Sequence, residues 1–270
     1  MEEHRHFPNL NRLSVLAATI LLAYSLARFV DLPERSIAIN LPGIFLSFTL
    51  NFQTVVSALV AALAAAGMDW LLRDHPELHG QPTYQHWLVP ALTALVIGVP
   101  LLRMENGLEW WIVFAMGGTL LMLVFLAEYI VADTADIRHP HASAGLSALS
   151  FALFLILAIA MRASGSRLYL VLPALVFAVA LVSLRTLYLR LGGQWKLAWG
   201  VGIAIIIGQL AAGLHYWPVG PIGYGLALLG PAYALTSFAA AYEEGRHVAG
   251  GLVEPLVMLG VIWGLALLVG

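Results

Sequence analysis

Long apolar runs alternate with short polar segments along most of this 270-residue chain. Nine such runs occur, at residues 13–30, 54–72, 87–102, 110–132, 142–161, 168–189, 195–214, 221–242 and 252–269. A helix of about 20 apolar residues spans the hydrocarbon core of a bilayer, and these runs have roughly that length. The pattern therefore predicts an all-α membrane protein, a bundle of about nine transmembrane helices. We expect a single domain over residues 1–270 that begins with a short polar lead at 1–11.

Residues 31–53 follow a different pattern, because apolar and polar positions alternate with a period of two through 37–41 and 44–53. This period is typical of a β-strand. Between the two stretches, Pro42-Gly43 suits a type II turn. We therefore expect an extramembrane β-hairpin at 31–53, on the membrane surface. The alternative is an extended loop or an early start of the second helix.

Composition strengthens the membrane interpretation. Hydrophobic residues make up 61% of the chain and charged residues only 10%, whereas soluble domains carry about 25% charged residues. The absence of cysteine excludes disulfides, thiolate metal ligands and a catalytic cysteine. No Lys/Arg run occurs and the net charge is −2, so general nucleic-acid binding is not expected.

The distribution of basic residues predicts the orientation of the chain. Eight of the 13 Lys and Arg residues fall on the N-terminal side of the predicted spans and five on the other. Because cytoplasmic loops are enriched in Lys and Arg, we expect the N-terminus in the cytoplasm. We expect the inner membrane of a bacterium as the location, and an uncleaved first span.

Three charged residues fall inside or at the edge of apolar runs. Glu128 lies in the fourth run, Arg185 in the sixth, and Glu254 in the first turn predicted for the ninth. A charge in the hydrocarbon region is costly and marks a function or an internal partner. Glu128 and Arg185 lie at similar predicted depth with opposite charge, which favours an ion pair between them. That pair could lock two helices together, or line a polar pocket for a head group or ion; unpaired side chains that reach toward the interface are a third possibility.

Histidine and acidic residues cluster in the loops on the predicted cytoplasmic side. Asp136–His139 and Glu244–His247 are both acid-x-x-His, a spacing that places both side chains on one helical face in carboxylate-bridged metal sites. His75 and His79 could likewise chelate a metal. Against this, Pro140, Gly245 and Pro76 disfavour helices at these positions. Loops beside a membrane are also polar without any metal.

Three segments resemble a family of uncharacterised bacterial polytopic membrane proteins. They are Gly67-Met68-Asp69-Trp70-Leu71-Leu72-Arg73, Ala127-Glu128-Tyr129-Ile130-Val131 and Leu214-His215-Tyr216-Trp217-Pro218. The resemblance implies a membrane fold over most of the chain. It implies no activity and assigns no catalytic residue.

Two functional hypotheses follow. The first is a non-enzymatic membrane protein without a cofactor, which binds or carries a lipid or small amphiphile or belongs to a larger membrane-protein complex. The alternative is a membrane-embedded metalloenzyme that holds a divalent metal in the cytoplasmic His/acid loops. The sequence favours the first, because no catalytic set is evident and the polar residues are explained by internal pairing. The lipid bilayer is the expected partner in both.

Overall fold

The computed structural model describes residues 8–27, 35–41, 44–50, 52–73, 75, 78, 82–104, 107–246 and 248–269. Side chains within these ranges are described except at 35–54, 102–103 and 248–249. Two compact units divide the chain, residues 1–139 and 140–270. The prediction that the whole chain forms one domain stays a prediction.

Nine long α-helices occur in the described part of the chain. They are α1 Leu10–Ala27, α2 Phe52–Leu72, α3 Leu88–Arg103, α4 Leu108–Val131, α5 His139–Ala163, α6 Leu168–Arg190, α7 Leu197–His215, α8 Pro221–Glu243 and α9 Val248–Val269. A one-turn 3₁₀ helix, Tyr84–His86, precedes α3. Each of the nine spans found there is long and apolar enough to cross a membrane. The predicted helical fold with nine candidate spans is therefore confirmed for these residues.

Two strands lie between α1 and α2. They are β1 Arg35–Leu41 and β2 Ile44–Leu50, which pair antiparallel with Ile37 opposite Phe48. α2 begins at Phe52, within the range expected to be extended. The predicted turn at 42–43 lies outside the described residues. A position on the membrane surface stays a prediction.

Five of the described helices begin two to four residues before their apolar runs, and α5 and α9 are the most informative of them. α5 starts at His139, and Pro140 is its second residue. Proline is tolerated there because it interrupts no helical hydrogen bond in the first turn. α9 starts at Val248 and continues through Gly250 and Gly251. The expected place of Glu254 in the first turn of the ninth helix is therefore wrong, since six residues precede it and it lies in the second turn.

The first unit has a core shared by α1, α2, α3 and α4. Ile20 of α1, Met68 of α2, Ala94 of α3 and Phe125 of α4 belong to one buried cluster. Tyr24 of α1 donates its hydroxyl hydrogen bond to the carbonyl oxygen of Ala94 in α3, so the buried phenol is satisfied. This core fixes the ends of α2 and α4, where the polar residues of the unit lie.

In the second unit α6, α7 and α8 pack closely through small residues. Gly200 of α7 faces Leu184 of α6, and an added Cβ at Gly200 would lie 2.4 Å from the Leu184 Cγ. An added Cβ at Gly225 of α8 would similarly lie 2.7 Å from Cγ1 of Ile159 in α5. Small residues at such positions let helices approach closely in a membrane. α9 packs against α8, with Trp263 against Gly230.

Candidate functional site

The carboxylate of Glu128 is fully buried within the first unit. Glu128 lies near the end of α4 with no exposed surface, and its Oε2 lies 2.7 Å from Nδ1 of His86. His86 ends the 3₁₀ helix and is 3% exposed. A carboxylate at this depth needs a hydrogen-bonded partner, and the imidazole supplies one. This contact links the segment before α3 to α4.

Arg185 and Glu254, the other two charged residues predicted inside the membrane, lie in the second unit. Arg185 of α6 is 1% exposed, and its guanidinium carbon lies 5.4 Å from the ring centre of Tyr188. Glu254 of α9 accepts a 2.8 Å hydrogen bond from the hydroxyl of Tyr233 and a 3.4 Å bond from Ser237. Because Glu128 and Arg185 belong to different units, their predicted pairing stays a prediction.

The loop between α4 and α5 holds its acidic residues in local hydrogen bonds. Asp136 is 3% exposed, and its carboxylate accepts from the backbone N–H of Arg138 at 2.8 Å and from its Nη2 at 2.6 Å. These contacts raise the pKa of the Arg138 guanidinium, chiefly through the hydrogen bond. Asp133 Oδ1 accepts from the backbone N–H of Ala135. His139 follows as the first residue of α5, so Asp136 and His139 do not share a helical face.

Glu244 belongs to an ion-pair network at the end of α8. Its carboxylate lies 3.3 Å from Nη2 of Arg190 and 2.6 Å from Nη2 of Arg246. Gly245 then adopts a positive φ of 72°, which ends the helix before residue 247. The neighbouring Glu243 pairs with Lys196 at 2.7 Å. The Glu244 carboxylate therefore ties α6 to the end of α8.

Within the described residues, no group of three or more His, Asp or Glu side chains is arranged to hold a metal ion. His75 is 4% exposed, and its ring lies 4.5 Å from the ring of Tyr129. His79 and His247 lie outside the described residues. The prediction of a divalent metal at the His/acid loops accordingly stays a prediction.

A pocket of about 410 Å³ opens in the first unit, between the end of α2 and the start of α3. Its apolar base contains Leu72 and Leu78, which are 1% and 7% exposed. Tyr84 and Trp87 also line it and are partly exposed. The pocket is lined as well by Asp69, Arg73, Pro82 and Thr83. Its size falls within the range of about 300–1,000 Å³ that small-molecule sites occupy.

A continuous chain of hydrogen bonds fixes the polar wall of this pocket. Trp87 Nε1 donates to Thr83 Oγ1 at 3.2 Å, and the Thr83 hydroxyl donates to Asp69 Oδ1. Asp69 Oδ2 accepts from Nε and Nη2 of Arg73 at 3.3 and 3.2 Å. Both carboxylate oxygens of Asp69 are therefore occupied. The Arg73 side chain remains 68% exposed.

The sequence does not single out this pocket. Asp69 and Arg73 have the i, i+4 spacing that pairs side chains on a helix, and that spacing is the available signal. Thr83 lies 14 residues from Asp69, a separation to which no local pattern points. His86 is likewise 42 residues from Glu128, so the imidazole partner depends on how α3 and α4 pack.

A family model described as a protein of unknown function, DUF5656, matches residues 32–269. The chain belongs to this family. The matched range includes the pocket and the His86–Glu128 contact, and membership agrees with the resemblance to an uncharacterised family. No curated protein and no solved structure matches the chain. A function must therefore be argued from the geometry of the residues themselves.

Proposed function

We propose that the protein is a non-enzymatic membrane protein that binds a lipid or small amphiphile. The pocket between α2 and α3 is the observation that supports this function, because it joins an apolar base to a polar wall. Leu72 and Leu78 supply the base, and Arg73 supplies an exposed cation at its edge. An amphiphile has an apolar part and a polar part, so its binding site needs an apolar surface and a polar surface side by side.

The place of the pocket along the chain agrees with this proposal. One candidate span ends at Leu72 and the next begins at Tyr84, so the pocket lies where two helices leave the apolar region. Lipid head groups occupy that depth of a bilayer. Tyr and Trp are common there for reasons of solvation alone, and Tyr84 and Trp87 by themselves would not favour a site. The volume of about 410 Å³ suits a head group and the first part of a chain.

The ion pairs and hydrogen bonds between charged side chains support a binding protein in a second way. Glu128 is matched by His86, Asp136 by Arg138, and Glu244 by two arginines. Such contacts stabilise the two units from within. We infer that these residues hold the helices in place, and that ligand contact belongs to the pocket.

Photo-crosslinking tests the proposed function. The purified protein in nanodiscs is exposed to dioleoylglycerol that carries a diazirine in one acyl chain, and the labelled peptides are identified by mass spectrometry. We expect saturable labelling of residues 69–87 that excess unlabelled amphiphile prevents. Labelling that never saturates and follows exposed helix surface throughout the chain would contradict a specific site.

A matched pair of variants strengthens this test. Tyr84 lines the pocket and is 50% exposed, so Tyr84→Ala should fold while it weakens labelling of the site. Trp111 is 62% exposed on α4 and does not line the pocket. Trp111→Ala should leave labelling of residues 69–87 unchanged. An equal loss in both variants would mean that the label reports general aromatic surface.

A further inference from the structure

We propose that Arg73 binds a phosphate group of the amphiphile, which makes the pocket selective for phosphate-bearing ligands over uncharged ones. This inference rests on the proposed function and adds the chemical class of the ligand. It starts from the pattern of hydrogen bonds around Asp69 and Arg73.

Both carboxylate oxygens of Asp69 already accept hydrogen bonds from neighbouring side chains. Oδ1 accepts from Thr83, and Oδ2 accepts from two nitrogen atoms of Arg73. A ligand ammonium group would compete with these donors and would lie close to the positive charge of Arg73. The geometry therefore disfavours a ligand that enters with its positive charge toward Asp69.

The guanidinium of Arg73, in contrast, can offer further hydrogen-bond donors to a ligand. Its Nε and Nη2 contact Asp69 on one side, while a guanidinium carries five N–H donors in a planar fork. The side chain is 68% exposed, and Nη1 on its outer edge takes no part in the contact with Asp69. That edge matches two oxygen atoms of a phosphate, with which arginine forms paired hydrogen bonds.

Asp69 holds Arg73 in place for this contact. The chain Trp87–Thr83–Asp69–Arg73 connects the aromatic wall of the pocket to the guanidinium. A fixed guanidinium loses less conformational entropy when it binds an anion than a freely rotating one does. The phosphate then lies beside the apolar base formed by Leu72 and Leu78.

The phosphate could belong to a lipid head group or to a free phosphate compound, and competition distinguishes these sources. Dioleoyl phosphatidic acid and dioleoylglycerol, each with an acyl diazirine, differ by the phosphate alone. We expect phosphatidic acid to label residues 69–87 at a concentration about two- to fivefold lower, since an ion pair at an exposed guanidinium contributes up to about 1 kcal/mol and 1.4 kcal/mol is tenfold. Excess inorganic phosphate that removes this labelling would identify a soluble phosphate compound as the ligand. Competition by unlabelled phosphatidic acid alone would identify a lipid.

Variants of Arg73 complete the test. Arg73→Gln should abolish the preference for phosphatidic acid over dioleoylglycerol, measured within that variant as the ratio of the two labelling concentrations, and Arg73→Lys should keep part of the preference. The control is Arg167→Gln, an exposed arginine in the second unit, which should keep the full preference. Equal labelling by both lipids in the wild type, or a preference that survives Arg73→Gln, would overturn this inference and leave the proposed function standing. Absence of saturable labelling by either lipid would instead remove the proposed function.

Discussion

The contact between Glu128 and His86 should be a principal stabilising interaction of the first unit. Both side chains are buried, at 0% and 4% exposure, and Oε2 lies 2.7 Å from Nδ1. A hydrogen bond to a charged group contributes about 1.5–3 kcal/mol, whereas double-mutant cycles inside a membrane protein average about 0.6 kcal/mol. We therefore expect Glu128→Gln to reduce the free energy of unfolding by about 1.5 kcal/mol, because glutamine keeps the shape and loses the charge.

A double-mutant cycle in mixed detergent micelles measures this contact. Glu128→Gln and His86→Phe are made singly and together, and the free energy of unfolding is obtained from the denaturant midpoint and slope. We expect a coupling energy of about 1 kcal/mol. His86→Asn should recover part of the loss, because its amide nitrogen lies near the position of Nδ1. The matched control is Glu109→Gln, an exposed carboxylate in the same helix, which should change stability by less than about 0.5 kcal/mol.

Strictly additive losses for Glu128 and His86 would refute the reasoning, since they would show that the two side chains do not stabilise each other. A second cycle, between Glu128→Gln and Arg185→Gln, tests the pair that the sequence predicts. The two cycles are independent. Coupling in both would mean that the carboxylate interacts with an imidazole and a guanidinium, and coupling to His86 alone would leave Arg185 with a role inside the second unit.

Three further predictions concern packing, a loop and topology. Gly200→Ala should destabilise the protein by about 1–3 kcal/mol, because the added Cβ would lie 2.4 Å from Leu184. The control Gly202→Ala adds its Cβ in open space and should be neutral or stabilising. Equal shifts of the two variants in thermal melts would contradict this packing argument. Arg162 donates to the carbonyl oxygens of His215 at the end of α7 and of Trp217 and Val219 in the α7–α8 loop. Arg162→Gln should therefore lower stability by about 2 kcal/mol and speed proteolysis of that loop, and unchanged cleavage would contradict this. With nine spans, reporters fused before α1 and after α9 should report opposite sides of the membrane, and a shared side would remove the odd count.

The helices could be predicted from the sequence because length and apolar composition are sufficient criteria for a span. The first residue of each helix could not be predicted from the same criteria. The sequence predicts that Pro140 disfavours a helix around His139, yet proline is well suited to the first turn, where no helical hydrogen bond needs its missing N–H. The ninth apolar run begins at residue 252, after Gly250 and Gly251, and α9 nevertheless includes both glycines. In a membrane, backbone groups without a helical partner are so costly that glycine does not end a helix as readily as it does in water.

The sequence identifies a buried charge, but the partner of that charge depends on how the helices pack. Hydropathy identifies Glu128 as a charge in need of a partner, but the choice between Arg185 and His86 depends on which helices meet α4. His86 lies outside any apolar run, in a 3₁₀ turn whose position is set by the packing of α3. The pairing of Asp69 with Arg73, in contrast, can be predicted from their spacing alone. That spacing predicts only a surface ion pair of little energetic value. Only the folded unit places Thr83 and Trp87 beside them, which holds an exposed guanidinium above an apolar pocket. The proposed ligand site therefore depends on described residues from both α2 and the start of α3, and substitution of an exposed lining residue such as Tyr84 should affect binding before it affects the fold.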